Sequence, residues 1–391
     1  MTSTRKRLMW LLSLLVAFSL FAAACGDDDD DTTGTTDSSG DDSAAGDDTT
    51  TDSSGADDGA MMDVSGTLIG AGSSAQQAAM QGWQAGFQAV YSDVTVEYDP
   101  VGSGGGREQF LAGGTAFAGS DAALNDEELA QSVDRCPGDR GAIDLPHYIS
   151  PIAVAFNLPG IDSLNMSPEV VAGLFAETIT NWNDPAIAEL NPGVELPDLA
   201  INAVHRSDES GTSKNFTDYL SVVAPEVWTY GPLEVWPSEL GGEGGQGTSG
   251  VVQAITAGEG SVGYADASQV GDLGTVAVGV GDEFVAYSPE AAGRIIDVSP
   301  RSEGRGEYDF AIQVARDTEE SGVYPIALVS YHIVCLDYPT QGEADLVKAF
   351  MTYVGSEEGQ AAAAAAAGSA PISAEFRSQL ETAIAAIGVA G

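Results

Sequence analysis

Residues 206–213 combine an arginine with hydroxyl side chains and a glycine, a set of groups that can hold an oxyanion. Arg206 can donate two parallel hydrogen bonds to an anion, Ser210 and Thr212 add hydroxyl donors, and Gly211 allows close approach of the backbone. An apolar run precedes the segment and a helical pattern follows it, so a helix is predicted to begin here. The unpaired N–H groups and dipole of a helix start attract anions. An ordinary N-cap beside a surface arginine is the alternative interpretation.

Two further segments, 70–74 and 102–106, repeat the order of strand, Gly/Ser loop and helix start. The first precedes an apolar stripe at helical spacing, and the second follows the alternating residues 94–98, which are typical of a strand. Each of them alone is also a common strand–helix connection that binds nothing. Three such loops, one of which holds an arginine, predict that several helix N-termini converge on one small oxyanion.

These loops give the chain a resemblance to a known family, the PstS-type phosphate-binding components of ABC phosphate importers. The resemblance covers most of residues 66–391. It is carried by residues 70–74, 102–105, 117–121, 179–182, 206–213, 260–264 and 324–326. Taken position by position, it implies phosphate contacts from Ser74, Ala75, Ser103, Asp121, Arg206, Ser210, Gly211 and Thr212.

The sequence departs from the family pattern at four positions. Ser74 and Ala75 stand where many members have threonine and phenylalanine, and the contact that the resemblance implies for position 75 is through its backbone N–H. Gly104 replaces a second serine of many members, and Arg107 is a cation that the pattern does not require. Whether Arg107 reaches the anion is left open by the sequence.

Asp121 is the residue that we expect to select the anion. Near neutral pH phosphate still carries one or two protons, whereas sulfate carries none. An ionised carboxylate can accept a hydrogen bond from the phosphate O–H. Sulfate would instead place an acceptor oxygen against the carboxylate, and such a buried repulsive contact lowers the affinity for sulfate by a large factor. The alternative is that Asp121 caps the turn that follows it. Asp208 is expected to orient the Arg206 guanidinium rather than to touch the ligand.

The alternation of strands, helices and glycine-bearing loops predicts an α/β fold. The resemblance implies a two-lobed periplasmic-binding-protein-like fold, with a hinge of two crossing strands and a ligand cleft between the lobes. It assigns residues 66–149 plus 326–391 to lobe 1 and residues 150–325 to lobe 2. Residues 242–247 match the dinucleotide pattern G-x-G-x-x-G, but no convincing strand precedes them, so they are predicted to be a flexible loop.

The N-terminal segment predicts export and attachment to a membrane. Residues 1–24 have the basic start, apolar stretch and small residues of a lipoprotein signal peptide, which leaves Cys25 as the lipidated N-terminus. Ordinary secretory cleavage with a free cysteine is the alternative. Residues 25–61 contain thirteen aspartates and are predicted to be a disordered acidic tether. A metal-binding role for the aspartates at 27–31 is the other possibility.

Charge and cysteine content narrow the function classes further. Outside residues 1–60, 46 acidic side chains stand against 11 basic ones, which argues against nucleic acid or anionic lipid as a partner. Cys136 and Cys335 form an even pair in an exported chain, where a disulfide is expected and two free thiols are the alternative. The three histidines are scattered along the sequence without metal-ligand spacing and are predicted to be structural.

We therefore expect a lipid-anchored extracytoplasmic receptor that binds inorganic phosphate and delivers it to the permease subunits of an ABC importer. No reaction, cofactor or metal is expected, because the chain lacks a G-x-S-x-G nucleophile motif and clustered metal ligands. The alternatives are a receptor for sulfate, arsenate or molybdate, a surface lipoprotein without a transport role, and a hydrolase.

Overall fold

A computed structural model describes residues 62–391. Residues 1–61 lie outside the described part, and with them the predicted signal peptide (1–24), the lipid attachment site Cys25 and the acidic tether (25–61). Between residues 62 and 391, no helix has the length and apolar character needed to cross a membrane.

Strands and helices alternate along most of the described chain, as predicted for an α/β fold. The strands are β1 (Gly66–Gly72), β2 (Val94–Asp99), β3 (Phe117–Ser120), β4 (Ala142–Phe156), β5 (Ser163–Met166), β6 (Asn202–Arg206), β7 (Glu243–Gly245), β8 (Ser261–Asp266), β9 (Gly274–Val280), β10 (Glu283–Val285), β11 (Ala327–Cys335), β12 (Asp337–Tyr338) and β13 (Gly388–Val389). The helices are α1 (Gln77–Val90), α2 (Ser103–Leu111), α3 (Asp126–Arg135), α4 (Pro168–Phe175), α5 (Pro185–Ala188), α6 (Gly211–Val223), α7 (Gly247–Ala257), α8 (Pro289–Gly293), α9 (Ile295–Val298), α10 (Gln341–Gly355), α11 (Glu357–Ala367) and α12 (Ala374–Ala385).

The three Gly/Ser loops each join a strand to a helix, as the sequence predicts. They connect β1 to α1, β2 to α2 and β6 to α6. β1 pairs in parallel with β2 and with β3, and β6 pairs in parallel with β7 and with β8. Parallel strands bring their carboxyl ends to one edge of a sheet, so the loops after β1, β2 and β3 open on the same side.

The main sheet runs in the order β2-β1-β3-β11-β4-β8-β6-β7, and β4 belongs to both halves of it. All fifteen residues of β4 are buried. β4 pairs with β11 as far as Pro151 and with β8 from Ile152 onward. This change of partner occurs next to the boundary between residues 149 and 150 that the resemblance implies for the two lobes. The lobe boundaries themselves, 66–149 plus 326–391 and 150–325, stay a prediction.

Two aromatic groups fill the core on either side of β4. Phe87 and Phe117 both pack against Phe350, with ring centroids 5.2 and 5.6 Å apart. Phe216 stacks on Tyr264 at 4.4 Å. Burial of each large apolar side chain contributes roughly 1.5–3 kcal/mol to folding. The apolar positions of the predicted helices and strands therefore supply the core that holds the Gly/Ser loops in place.

The prediction for residues 242–247 is wrong. Glu243–Gly245 forms the edge strand β7, which pairs with β6, and Gly247 begins α7. The strand pairs with β6 through its backbone, and two of its three residues are glycines, so no alternating side-chain pattern marks it in the sequence. The helix start at Gly247 adds a fourth Gly/Ser loop to the three that the sequence indicates.

One pair of cysteines and one pair of histidines, each far apart in the sequence, are in contact in the fold. Cys136, directly after α3, and Cys335, at the end of β11, form a disulfide across 199 positions of sequence. His147 and His332 lie side by side in the core, although the sequence separates them, with their Nδ1 atoms 3.3 Å apart. His205 stacks on Trp236 at 4.8 Å.

Candidate functional site

Arg206 ends β6 and is held in place by Asp208. Its Nε donates to Asp208 Oδ1 at 2.8 Å, and its Nη2 donates to Oδ2. Burial raises the pKa of Asp208, but the hydrogen bonds and charge of Arg206 outweigh this and hold that pKa below its usual value. The predicted role of Asp208, to orient the guanidinium, is confirmed. Arg206 is only 3% exposed, so the alternative of a surface arginine is wrong.

The first turn of α6 lies beside Arg206. Ser210 is the N-cap, and its Oγ accepts the Ser213 N–H at 3.1 Å. Thr212 Oγ1 accepts from Arg206 Nη1 at 3.5 Å. Both hydroxyl groups are therefore buried at the positive end of the α6 dipole, where negative charge is stabilised.

Asp121 follows β3 and faces α6. Its Oδ2 accepts from Thr212 Oγ1 at 2.9 Å, and its Oδ1 accepts from Ser330 Oγ at 2.6 Å. The turn after β3 is closed instead by Ser120, whose Oγ donates to Ala122 O. The alternative that Asp121 caps this turn is therefore wrong. Burial raises the pKa of the Asp121 carboxyl, and the hydrogen bonds from its neighbours only partly offset that rise.

The start of α2 touches both Asp121 and α6. Ser103 Oγ accepts the Asp121 N–H at 3.1 Å. A Cβ added at Gly211 would lie 2.7 Å from Ser103 Oγ and 2.8 Å from Asp121 Cβ. Gly102 has a φ of 98°, and a Cβ there would lie 2.6 Å from Asp208 Oδ2. Glycine at these two positions lets α2, β3 and α6 approach each other closely.

The starts of α1 and α7 form the remaining side of the site. Ser74 Oγ accepts the Thr248 N–H at 3.1 Å. The Ala75 N–H donates to Ser73 Oγ at 3.1 Å, so this predicted donor already has a partner within the loop before α1. The Gly247 N–H donates to Asp208 Oδ1 at 3.0 Å, which connects α7 to Arg206 through one carboxylate.

Arg107 lies in a buried ionic cluster next to these helix starts. Its Nε donates to Glu128 at 2.7 Å, its Nη1 to Ser120 Oγ at 3.0 Å, and its Nη2 to Glu234 at 2.6 Å. Each of its three guanidinium nitrogens therefore binds a protein group. Glu234 belongs to the segment after α6, so this cluster ties α2 to the part of the chain that carries Arg206.

The arrangement combines many donors with one carboxylate acceptor. Arg206 and the N-termini of α1, α2, α6 and α7 present positive charge and N–H groups, whereas Asp121 presents lone pairs. Such a set suits a small oxyanion that still carries a proton. Among residues 62–391, no group of three or more His, Cys, Asp and Glu side chains is placed to hold a metal ion.

Comparison with known proteins assigns the chain to a family. A family profile described as a PBP superfamily domain matches residues 43–358. The phosphate-binding protein PstS 3 of Mycobacterium leprae is 35% identical over 82% of this chain and 87% of its own length. The phosphate-binding protein PstS 2 of Mycobacterium tuberculosis is 36% identical over 73% of this chain and 78% of its own. The chain belongs to the PstS family.

Solved structures agree with the fold expected of a PstS protein. A high-affinity periplasmic phosphate-binding protein bound with phosphate has a TM-score of 0.65 at 21% identity, over 81% of this chain and 93% of that one. A phosphate-binding protein from Stenotrophomonas maltophilia has a TM-score of 0.62 at 19% identity, over 81% and 94%. The predicted two-lobed periplasmic-binding fold is therefore confirmed.

In this PstS protein the predicted site residues lie in one region. Six of them lie at strand ends and helix starts that contact each other: Ser103, Asp121, Arg206, Ser210, Gly211 and Thr212. Ser74 and Ala75 join them through α7. Sequence patterns did not indicate Thr248, Gln76 or Ser330, and only the strand pairing of β11 with β3 brings Ser330 to Asp121.

Proposed function

We propose that this protein binds inorganic phosphate outside the cytoplasm and delivers it to an ABC importer. Its PstS relatives are phosphate-binding proteins by name. The observation that carries the proposal is the buried Asp121 carboxylate, 2.9 Å from Thr212, which in turn hydrogen-bonds to the oriented guanidinium of Arg206. Strong donors beside one acceptor match an oxyanion that is charged and protonated at the same time.

Each part of the site has a separate task in this proposal. Arg206 and the helix N-termini neutralise the anion, and Ser103 and Ser210 add hydroxyl donors. Thr212 contributes its backbone N–H in the first turn of α6, because its hydroxyl proton is directed at Asp121, and Ser74 contributes its hydroxyl from the loop before α1. Asp121 accepts the phosphate O–H. A fully deprotonated anion such as sulfate would face the carboxylate with acceptors only, and this unpaired, repulsive contact would exclude it.

Binding is coupled to closure of the two lobes. Ser103 and Asp121 belong to the predicted lobe 1, whereas Arg206 to Thr212 belong to the predicted lobe 2. An anion that contacts both sets gains its full binding energy only in the closed form, so it shifts the hinge equilibrium towards closure. The permease subunits would then recognise the closed, loaded form.

Attachment to the membrane is part of the proposal. Cleavage after residue 24 would leave a lipid on Cys25, and the acidic segment 25–61 would hold the binding domain away from the membrane surface. The protein would act by binding alone, without catalysis, as a member of a solute-binding family.

Calorimetric titration of the anion-free protein with phosphate and then sulfate, from pH 5 to 8, tests the ligand assignment. We expect tight binding of phosphate and no heat from sulfate, because only phosphate offers a proton to Asp121. Equal or tighter binding of sulfate would overturn the assignment of the ligand, and no heat from either anion would overturn the receptor function.

The substitution Arg206→Ala tests the site itself. Loss of a buried, charge-assisted pair costs roughly 3–5 kcal/mol, so phosphate affinity should fall at least about a hundredfold. Arg377→Gln is the matched control, because Arg377 pairs with the 84% exposed Glu357 on the surface. Wild-type affinity of the Arg206→Ala protein in the same titration would show that the site lies elsewhere.

A further inference from the structure

Asp121 is placed opposite Ser330 by the strand register. β11 runs antiparallel to β3, with Tyr331 paired to Ser120. One step further along the same register, Ser330 lies across from Asp121, and its Oγ is 2.6 Å from Asp121 Oδ1. Ser330 is fully buried. The pairing of β11 with β4 shifts register between Ser330 and Tyr331, an irregularity of the kind that re-aims side chains near binding sites.

Gln76 fixes the direction of the Ser330 hydroxyl. The Gln76 Nε2 contacts two atoms, Ser330 Oγ at 2.6 Å and the carbonyl oxygen of Tyr331 at 3.2 Å. A carbonyl oxygen can only accept, so the amide must turn its NH₂ group towards this pair. Ser330 Oγ therefore accepts from Gln76, and its single proton is left to point at Asp121.

The other oxygen of Asp121 is oriented in the same sense. Arg206 has only donors, so Thr212 Oγ1 must accept from it and direct its own proton at Asp121 Oδ2. Two chains of hydrogen bonds, Arg206 to Thr212 and Gln76 to Ser330, end on the same carboxylate. Arg206 has only donors, and the Tyr331 carbonyl fixes the Gln76 amide as a donor, so both oxygens of Asp121 accept.

We propose that Ser330, held by Gln76, is a positioning residue that keeps Asp121 an ionised acceptor and thereby sets selectivity for protonated oxyanions. This inference rests on the proposed function and assigns a role in it to two residues outside the predicted contact set. If Asp121 took up a proton, it would become a donor and would accommodate a fully deprotonated anion. Loss of the Ser330 hydroxyl removes one of the bonds that oppose this proton uptake.

The electrostatics around Asp121 agree with this role. Burial raises the pKa of Asp121, and the hydrogen bond from Ser330 is foremost among the contacts that lower it again. The other charged or titratable groups facing the carboxylate are Arg206 on β6 and Tyr98 on β2. An arginine guanidinium is always protonated in proteins, and burial raises the pKa of Tyr98 above its usual value, so that phenol stays neutral. Asp121 is therefore the group whose raised pKa the test addresses.

The substitution Ser330→Ala tests the proposal with sulfate as the probe, because sulfate does not titrate between pH 5 and 8. We expect wild-type protein to reject sulfate, and the variant to bind it with a Kd that falls as the pH falls. Uptake of one proton sets the limit of this dependence at about tenfold per pH unit. The affinity of the variant for phosphate should weaken while its affinity for sulfate increases. Both changes lower the ratio of phosphate affinity to sulfate affinity.

Three further variants separate a positioning role of Ser330 from a general loss of structure. Ser330→Thr keeps the hydroxyl and should restore rejection of sulfate. Ser132→Ala removes another buried serine, whose Oγ donates to Leu129 O, and should leave the ratio of the two affinities unchanged. Asp121→Asn carries a donor at every pH, so its sulfate affinity should lack the pH dependence of Ser330→Ala.

The titration of Asp121 can also be followed directly by the carboxyl ¹³C shift in wild-type and Ser330→Ala protein. We expect a higher midpoint in the variant, and Gln76→Met supplies a second test if Ser330→Ala does not fold. A Ser330→Ala protein that binds phosphate, keeps the wild-type ratio at every pH and shows an unmoved midpoint would overturn this inference. Failure of wild-type protein to bind phosphate would instead overturn the proposed function.

Discussion

His147 and His332 share one hydrogen bond in the core between β4 and β11. Their Nδ1 atoms lie 3.3 Å apart, so one ring donates and the other accepts. A proton on both rings would set two donors face to face in a buried site. Burial lowers the pKa of His147 to about 3, and burial together with His147 holds the pKa of His332 well below its usual value. The pair is therefore a neutral structural contact.

This pair predicts a loss of stability in acid. The unfolded histidines bind protons near pH 6.5, whereas burial lowers the pKa of His147 to about 3 and holds the pKa of His332 well below its usual value. The unfolded state therefore binds more protons, and the free energy of unfolding decreases as the pH falls below 6.5. The slope is at most about 1.4 kcal/mol per pH unit for each histidine. Burial raises the pKa of Asp266 to about 6, a shift that acts in the opposite direction.

A comparison of variants isolates the histidine contribution. His332→Asn keeps a neutral polar group, and its unfolding free energy by chemical denaturation should change less steeply between pH 6.5 and 4 than that of wild-type protein. Equal slopes for the two proteins would contradict the assignment.

At the scale of elements, an ion pair adds to the glycine contacts that hold the start of α2 against its neighbours. Arg107 on α2 binds Glu234 from the segment after α6, and the two side chains are 3% and 14% exposed. Burial raises the pKa of Glu234, but the charge of Arg107 outweighs this and holds it below its usual value. This contact joins α2 to the segment after α6 without using any of the predicted phosphate ligands.

We expect Arg107→Gln to destabilise the protein strongly. The change leaves the largely buried carboxylate of Glu128 without its cation and leaves Glu234 paired with Lys214 alone, which costs up to roughly 3–5 kcal/mol in unfolding free energy. Denaturant titration measures this loss, and the surface variant Arg377→Gln should lose no more than about 1 kcal/mol. A loss as small as that of the surface variant would contradict the role of Arg107 as a buried link.

At the scale of the whole molecule, net charge opposes the ligand. The chain carries a formal charge of −45, and the acidity extends well beyond the aspartates of residues 26–60. A phosphate anion is therefore repelled at long range and attracted only close to Arg206 and the helix N-termini. Attraction by these nearby groups outweighs repulsion by the distant acidic side chains, because salt screens charges that are more than about 8–10 Å apart.

This balance predicts an unusual salt dependence. Raising the ionic strength from about 10 to 200 mM should increase the association rate of phosphate, because screening weakens the repulsion by the whole chain. The dissociation rate should change little, since it depends on buried contacts. Stopped-flow measurement of both rates tests this, and an association rate that falls with salt would show that local attraction dominates at long range as well.

Much of the site was predictable from local sequence. The loops that contain Ser74, Ser103 and Arg206 each follow an apolar strand and precede a helical pattern, and both patterns depend only on neighbouring residues. The N-cap at Ser210 and the pairing of Asp208 with Arg206 are also local, because they span two or three positions.

Other parts depend on contacts between distant segments. The strand β7 has no pattern of its own, because β6 supplies its hydrogen bonds. Ser330 reaches Asp121 across 209 positions of sequence, through the register of two antiparallel strands. His147 and His332 meet across 185 positions in the same way.

Local chemistry by itself thus determined which residues can bind an oxyanion and which helices begin there. Tertiary structure decided which groups face them: that Arg107 binds carboxylates, that Ala75 is already paired, and that Gln76 and Ser330 orient Asp121. The physical reason is that a side chain carries its donors and acceptors wherever it lies, whereas the partner that uses them is set by how distant strands and helices pack.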